Sequence, residues 1–186
     1  MPELFIIAGC NGAGKTTAAY NLLPEVFKTV EFLNADEIAR SISAEDVEKA
    51  AFAAGKIILS KIYELIELEK SFAIETTLSG NTYLDVIKQA KINGFEVTMF
   101  FVYLENVNLA FERVALRVSK GGHNIPEEII ERRYFKGLKN LPKYLELVND
   151  WYLYDNSQGD YELIAKQVLQ LKEIIIFDLF NKIIEQ

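Results

Sequence analysis

The chain predicts an α/β fold with a mainly parallel sheet covered on both faces, and three observations carry that prediction. Short apolar runs alternate with stretches of helical periodicity along most of the sequence. The first run, Leu4-Phe5-Ile6-Ile7-Ala8, leads at once into "GCNGAGKTT", residues 9 to 17, where Gly9, Gly14, Lys15 and Thr16 fill the pattern G-x-x-x-x-G-K-[ST]. No repeat, low-complexity segment or Pro/Ser-rich linker divides the 186 residues, so one domain over 1–186 is expected. Strand, Gly-rich loop and helix in that order specify the three-layer fold of P-loop NTPases.

Each element has its own signal. Residues 4–8 are a continuous apolar run ending at a Gly turn, which reads as a short buried strand. A helix starts over 16–23, a second strand lies at 30–33, and a long helix covers 46–69. Strands at 72–74 and 95–104 bracket a helix at 82–91, and another helix follows at 107–119. Pro126-Glu127-Glu128 opens a further helix, with Pro in its first turn and acids near its positive end. Residues 151–154, 162–165 and 174–176 are weaker strand candidates, and a last helix is expected from 178 to the end. In such sheets ligands bind in the crevice at the C-terminal ends of the strands.

The loop itself is a phosphate site. Gly9, Gly12 and Gly14 let the backbone turn tightly and aim successive N–H groups inward, so Asn11, Gly12, Ala13, Gly14, Lys15, Thr16 and Thr17 form the nucleotide-binding set. Lys15, expected to be exposed in its loop, reaches the β- and γ-phosphates, and the Thr16 hydroxyl is placed to ligate Mg²⁺. ATP and Mg²⁺ are therefore the expected cofactors. Cys10, the single cysteine, cannot form an internal disulfide and is expected to serve as a small loop residue without a catalytic role.

Composition excludes other classes. With 50% hydrophobic and 25% charged residues the chain is ordinary for a folded domain, and disorder is not expected. No apolar run reaches membrane-spanning length, and no basic n-region precedes an apolar h-region, so the expectation is a cytoplasmic protein with no membrane association. The net charge of −7 argues against a general nucleic-acid binder. Its distribution is uneven: eight basic residues between Arg113 and Lys143 face three acidic ones, an excess of +5 that leaves −12 elsewhere. A solvated helix face is the usual explanation of such a cluster, and in a chain with a phosphate loop a second phosphate-facing wall is the favoured one.

Candidate residues gather at the strand ends. Asp36, in Asn34-Ala35-Asp36 after the second strand, faces the loop across the crevice; it either caps the next helix or accepts the proton of a substrate hydroxyl. Glu75 follows Ala73-Ile74, where an ionised carboxylate needs a partner: Mg²⁺ through water, a substrate hydroxyl, or Lys15. Thr76 and Thr77 supply hydroxyls beside it, as a site that selects among polyols requires. Arg113 and Arg117 lie four apart on one helical face, Gly121-Gly122 breaks that helix, and Arg132-Arg133 lies on the next. Residues 113–137 are thus expected to form a helical lid that closes over the triphosphate and neutralises charge during transfer. His123, at the lid tip, is expected to hydrogen-bond within its loop.

The phosphate loop, "NADEIA" (34–39), "IETTLSG" (74–80), "RV-x-x-RV-x-x-GGH-x-IP-x-x-x-I-x-x-RY" (113–134) and "DNS" (Asp155-Asn156-Ser157), in that order, resemble the zeta-toxin-like kinases over residues 3 to 160. The resemblance implies an ATP-dependent kinase that phosphorylates a sugar hydroxyl, with UDP-N-acetylglucosamine as the family's acceptor and an antitoxin as a protein partner. Under it Asp36 matches the family's base and Lys15 its loop lysine. Glu75 and Thr77 match the sugar-facing side, and Arg117 and Arg133 the lid arginines. Two alternatives stand beside this reading: a polynucleotide or nucleoside hydroxyl as acceptor, and a nucleotide-dependent binding switch with slow hydrolysis. The switch needs N-K-x-D and D-x-x-G motifs; Asn181-Lys182-Ile183-Ile184 lacks the Asp of the first, and the second is missing.

Overall fold

The computed structural model describes residues 1–22, 30–35, 38, 47–122 and 124–185. Among them are seven strands, β1 (Glu3–Gly9), β2 (Glu31–Leu33), β3 (Phe72–Thr76), β4 (Glu96–Tyr103), β5 (Asp150–Asp155), β6 (Glu162–Val168) and β7 (Leu171–Ile174). Six helices accompany them: α1 (Lys15–Leu22), α2 (Val47–Glu67), α3 (Thr82–Ile92), α4 (Val107–Ser119), α5 (Glu127–Leu147) and α6 (Phe177–Ile184). The strands form one sheet in the order β2-β3-β1-β4-β5-β6-β7. The strands from β2 through β5 in that order run parallel, while β6 and β7 return antiparallel at one edge. The α/β class and the mainly parallel sheet are as the alternating pattern requires.

The continuous apolar run of β1 is explained by its place between β3 and β4, where Ile6 lies opposite both Ile74 and Met99. Strand alternation sends Leu4, Ile6 and Ala8 into the larger core, with residues of α2 through α6. Phe5 and Ile7 point the other way, into a smaller core with Ala19, Ala73 and Phe100. That second layer is thin, bordered by half-buried Tyr152, whose ring stacks on Phe100 at 5.0 Å. The chain leaves β1 toward β2 and β3 on one side and resumes at β4 on the other. The loop after β1 therefore opens at the point where the strand order reverses, which is the crevice of such sheets.

Several boundaries differ from the sequence expectation. β3 runs two residues past Ile74, so Glu75 and Thr76 are still in the strand, at its half-exposed end. The strand expected at 174–176 lies instead at Leu171–Ile174. It pairs back on β6 through a turn in which Leu169 and Gln170 both take positive φ, 50° and 65°. Two positive φ values suit a tight hairpin, but Leu-Gln carries none of the Asn/Gly chemistry that announces one. The helix opened by Pro126 continues to Leu147, ten residues past the expected end of the lid. No helix among the described residues is long and apolar enough to cross a membrane.

Candidate active site

The loop between β1 and α1 is held by its own lysine and by the neighbouring strand. Lys15 is buried, 7% exposed, in contrast to the exposed loop residue expected from sequence. Its Nζ donates to the Cys10 carbonyl at 2.9 Å and pairs with Glu75 Oε1 at 3.5 Å. Register explains the pairing: β3 lies beside β1 with Glu75 opposite Ile7, so the end of β3 is flush with the start of the loop. β2 lies on the other side of β3 with Leu33 opposite Ile74, which brings Asn34 beside Glu75. Asn34 Nδ2 donates to Glu75 Oε2 at 3.1 Å, and Thr16 Oγ1 donates to the same oxygen at 2.6 Å. One carboxylate thus satisfies the loop lysine, the first-turn hydroxyl of α1 and the end of β2. Of the partners the sequence offered for Glu75, the structure shows Lys15.

Thr16 and Glu75 together present a hydroxyl and a carboxylate at the N-terminus of α1, a hard-oxygen set that suits Mg²⁺. No cluster of three or more His, Cys, Asp or Glu that could hold a metal occurs among the described residues. A single hydroxyl and a single carboxylate, Thr16 and Glu75, fit an ion that takes its other ligands from phosphates and water, as Mg²⁺ does in phosphoryl-transfer sites. The first N–H groups of a helix have no intrahelical acceptor, which suits the start of α1 to an anion. Cys10 is buried, and that burial pushes its thiol up to about 11 against the lowering pull of Lys15. A neutral, buried thiol has no nucleophilic part here.

From this anchor opens a cavity of about 200 Å³, whose lining includes Asn11, Lys15, Asn34, Glu75 and Arg133. The same lining carries a group of hydroxyls: Thr76, Thr77, Ser79, Thr82 and Tyr83. Thr77 Oγ1 and Ser79 Oγ lie 2.9 Å apart, and Thr76 Oγ1 accepts from the Leu78 N–H at 3.1 Å. The α5 helix fixes this rim. Asn140 Nδ2 donates to the Leu78 carbonyl at 2.8 Å and the Tyr144 hydroxyl to the Gly80 carbonyl at 2.7 Å. A Cβ on Gly137 would stand 2.5 Å from the Thr77 carbonyl, so only glycine lets the helix come this close.

The residues singled out in the sequence distribute as follows. Asn11 is buried, and its Oδ1 accepts from Arg133 at 3.4 Å, which joins α5 to the phosphate loop. Ala13 is buried, Gly12, Gly14 and Thr16 are half-buried, and Thr17 is exposed. Arg133, Glu75 and Thr77 line the cavity, whereas Arg117, in the last turn of α4, is not part of its lining. Asp36 and His123 lie outside the described residues.

Three contributors escaped the sequence reading. Asn34 was read only as the neighbour of Asp36. Asn156 was noted inside "DNS" without a role, yet its Nδ2 donates to the Ala13 carbonyl at 2.8 Å. Tyr161 had no signal at all, and its hydroxyl donates to the Gly14 carbonyl at 2.8 Å. A lone tyrosine between a turn and a strand reveals nothing of a partner 147 positions earlier in the chain.

Comparison with known proteins extends the geometry. An uncharacterized protein of Haemophilus influenzae is 33% identical over 127 residues, spanning 68% of this chain and 88% of that one. A cytidylate kinase of Saccharolobus islandicus is 26% identical over 187 residues, with 92% of each chain covered. Among solved structures, the AvrRxo1-ORF1:-ORF2 complex with ATP superposes with a TM-score of 0.81 over 99% of this chain at 17% identity, a likeness of fold. This chain spans 64% of the length of that one. The family model described as Zeta toxin matches residues 1–166, which take in the phosphate loop, the Glu75 end of β3, the arginines of α4 and α5, and Asn156. The chain belongs to the Zeta toxin family and is a P-loop kinase.

Proposed function

We propose that this kinase transfers the γ-phosphate of ATP to a hydroxyl of a nucleotide-activated sugar such as UDP-N-acetylglucosamine. The observation that carries the reading is that one cavity is lined both by the buried Lys15 of the phosphate loop and by five hydroxyl-bearing side chains. A sugar ring needs a set of donors and acceptors of that kind, because a site built to bond hydroxyls rejects ligands that leave them unpaired.

The chain's residues divide the work. The N–H groups of Gly12 through Thr17 and the Lys15 ammonium hold the β- and γ-phosphates. Thr16 and Glu75 are the residues that would hold Mg²⁺, which when bound neutralises phosphate charge. Asp36 follows Asn34 and Ala35, both in the cavity lining, and accepts the proton of the attacking hydroxyl. Thr77 orients the acceptor. Residues 113–137 act as the lid, with Gly137 as the point beyond which α5 is tied to the acceptor rim. Arg133, already at Asn11, and Arg117, delivered by lid closure, stabilise charge on the transferring group. An antitoxin protein is the partner proposed to silence the activity, as the family's name suggests.

Incubation with γ-labelled ATP, followed by mass spectrometry, tests the acceptor. UDP-N-acetylglucosamine is expected to take the label, beside free N-acetylglucosamine, a 5′-hydroxyl oligonucleotide and cytidylate as competitors. Label in the oligonucleotide or cytidylate alone would keep phosphoryl transfer and refute the sugar. ATP consumption that ignores every acceptor would favour the binding switch.

Glu75 gives a second test, through stability. The Lys15–Glu75 pair is nearly dry, with side-chain exposures of 7% and 11%, so Glu75→Gln leaves the ammonium without its counter-charge. A loss of about 1–3 kcal/mol is expected in denaturant unfolding, since the amide still accepts from Thr16 or Asn34. ATP without divalent cation should shrink that loss, because the phosphates then supply the missing charge. A deficit of the same size with and without ATP would mean that Lys15 does not meet the phosphates.

A further inference from the structure

The turn between β5 and β6, residues 156–161, brings two side chains onto the phosphate loop. Asn156, 5% exposed, donates its Nδ2 hydrogen to the Ala13 carbonyl at 2.8 Å. Tyr161 donates its hydroxyl hydrogen to the Gly14 carbonyl at 2.8 Å, a carbonyl that also accepts the α1 bond from the Ala18 N–H at 2.8 Å. The two side chains seat directly on Gly14. A Cβ there would stand 2.7 Å from the Tyr161 hydroxyl and 2.8 Å from Asn156 Nδ2, and its φ of +87° disfavours any other residue.

The turn is itself pinned. Arg113 of α4 donates to the Asn156 and Ser157 carbonyls at 2.7 and 3.0 Å. Ser157 Oγ accepts from the Glu105 N–H at 2.9 Å, and Asp155 Oδ1 accepts from the Ser157 N–H at 2.8 Å. The "DNS" motif is thus a turn locked on both sides so that its middle residue faces the loop. Asn156 keeps that orientation although its buried Oδ1 has no partner among the described residues. Ala13 therefore sets the direction of the amide, at the expense of its own oxygen.

A trans peptide is planar, and its carbonyl and the N–H of the next residue point in opposite directions. No cis peptide occurs among the described residues. A hydrogen bond that draws the Ala13 carbonyl outward consequently turns the Gly14 N–H inward, and one on the Gly14 carbonyl does the same for the Lys15 N–H. Those are two of the donors the loop offers to phosphate.

We propose that Asn156 and Tyr161 are positioning residues for phosphoryl transfer, which hold the Ala13–Gly14 and Gly14–Lys15 peptide planes with their N–H groups aimed at the nucleotide's phosphates. The proposal rests on the ATP reading above. It goes beyond that reading by giving the β5–β6 turn a part in phosphate binding. Arg113 links the same turn to the first lid helix, so the lid and the loop share one support.

The test measures ATP affinity by titration calorimetry for the full-length wild type, Tyr161→Phe and Asn156→Ala, with melting curves of each ligand-free protein. Tyr161→Phe removes one oxygen and is expected to melt close to wild type yet bind ATP about tenfold more weakly, the effect of losing one well-placed hydrogen bond. The amide proton resonances of Gly14 and Lys15, which should move downfield when wild type binds ATP, should move less in this variant. Unchanged affinity and unchanged amide shifts in Tyr161→Phe would overturn the proposal, as would a lowered melting temperature with wild-type affinity, the mark of a merely structural turn. Should Asn156→Ala not fold, Tyr161→Phe decides alone. Failure of wild type to bind ATP would bring down the ATP reading and the clamp with it, whereas wild-type binding with equal binding by the variant brings down the clamp only.

Discussion

Lys15→Ala is expected to lower kcat/KM for ATP-dependent transfer by about a thousandfold or more, because its buried ammonium sits at the root of the loop, where charge on the transferring phosphoryl group must be met. The structure adds a condition to this test. Lys15 is buried and paired with Glu75, so its removal also disturbs the fold locally. The disturbance should stay small, about 1–3 kcal/mol, since Glu75 retains its hydrogen bonds from Thr16 and Asn34. Lys15→Met, which keeps the aliphatic stem, separates the two effects: the same loss of transfer is expected with a smaller loss of stability. Turnover within about tenfold of wild type in either folded variant would remove the lysine from the mechanism.

The phosphate end of the site was legible in the sequence because its chemistry is local. Nine consecutive residues set the glycines, the lysine and the helix start, and the apolar run before them fixes the strand. Glu75 was legible for a related reason, since a carboxylate at the end of an apolar run demands a partner, and the register of β1 against β3 supplies Lys15. What the sequence concealed is long-range. Tyr161 and Asn156 reach the loop only because β5 and β6 pair antiparallel beside β4, a pairing that no local pattern announces. Gly137 reads as an ordinary weak point inside a helix, yet it is where α5 must approach the Thr77 carbonyl. The strand expected at 174–176 was misplaced because the turn before it, at Leu169-Gln170, takes two positive φ values without any Asn or Gly to announce them.

Asp36→Asn is the variant that most sharply separates two roles for one residue. Asn34 and Ala35, the two residues before it, line the cavity, and the Asn34 side chain is tied to Glu75. A base at this position accepts the acceptor's proton as the oxygen attacks phosphorus, and Asn keeps the shape while removing that capacity. Transfer is expected to fall by about 10² to 10⁴, the range for losing general-base catalysis, with ATP affinity within about threefold of wild type. A helix cap predicts the opposite, because Asn caps as well as Asp and the variant would be nearly fully active. Two measurements decide between them: single-turnover transfer to the sugar acceptor, and ATP binding without acceptor. A fall in transfer that follows a matching fall in ATP affinity would place Asp36 in nucleotide binding.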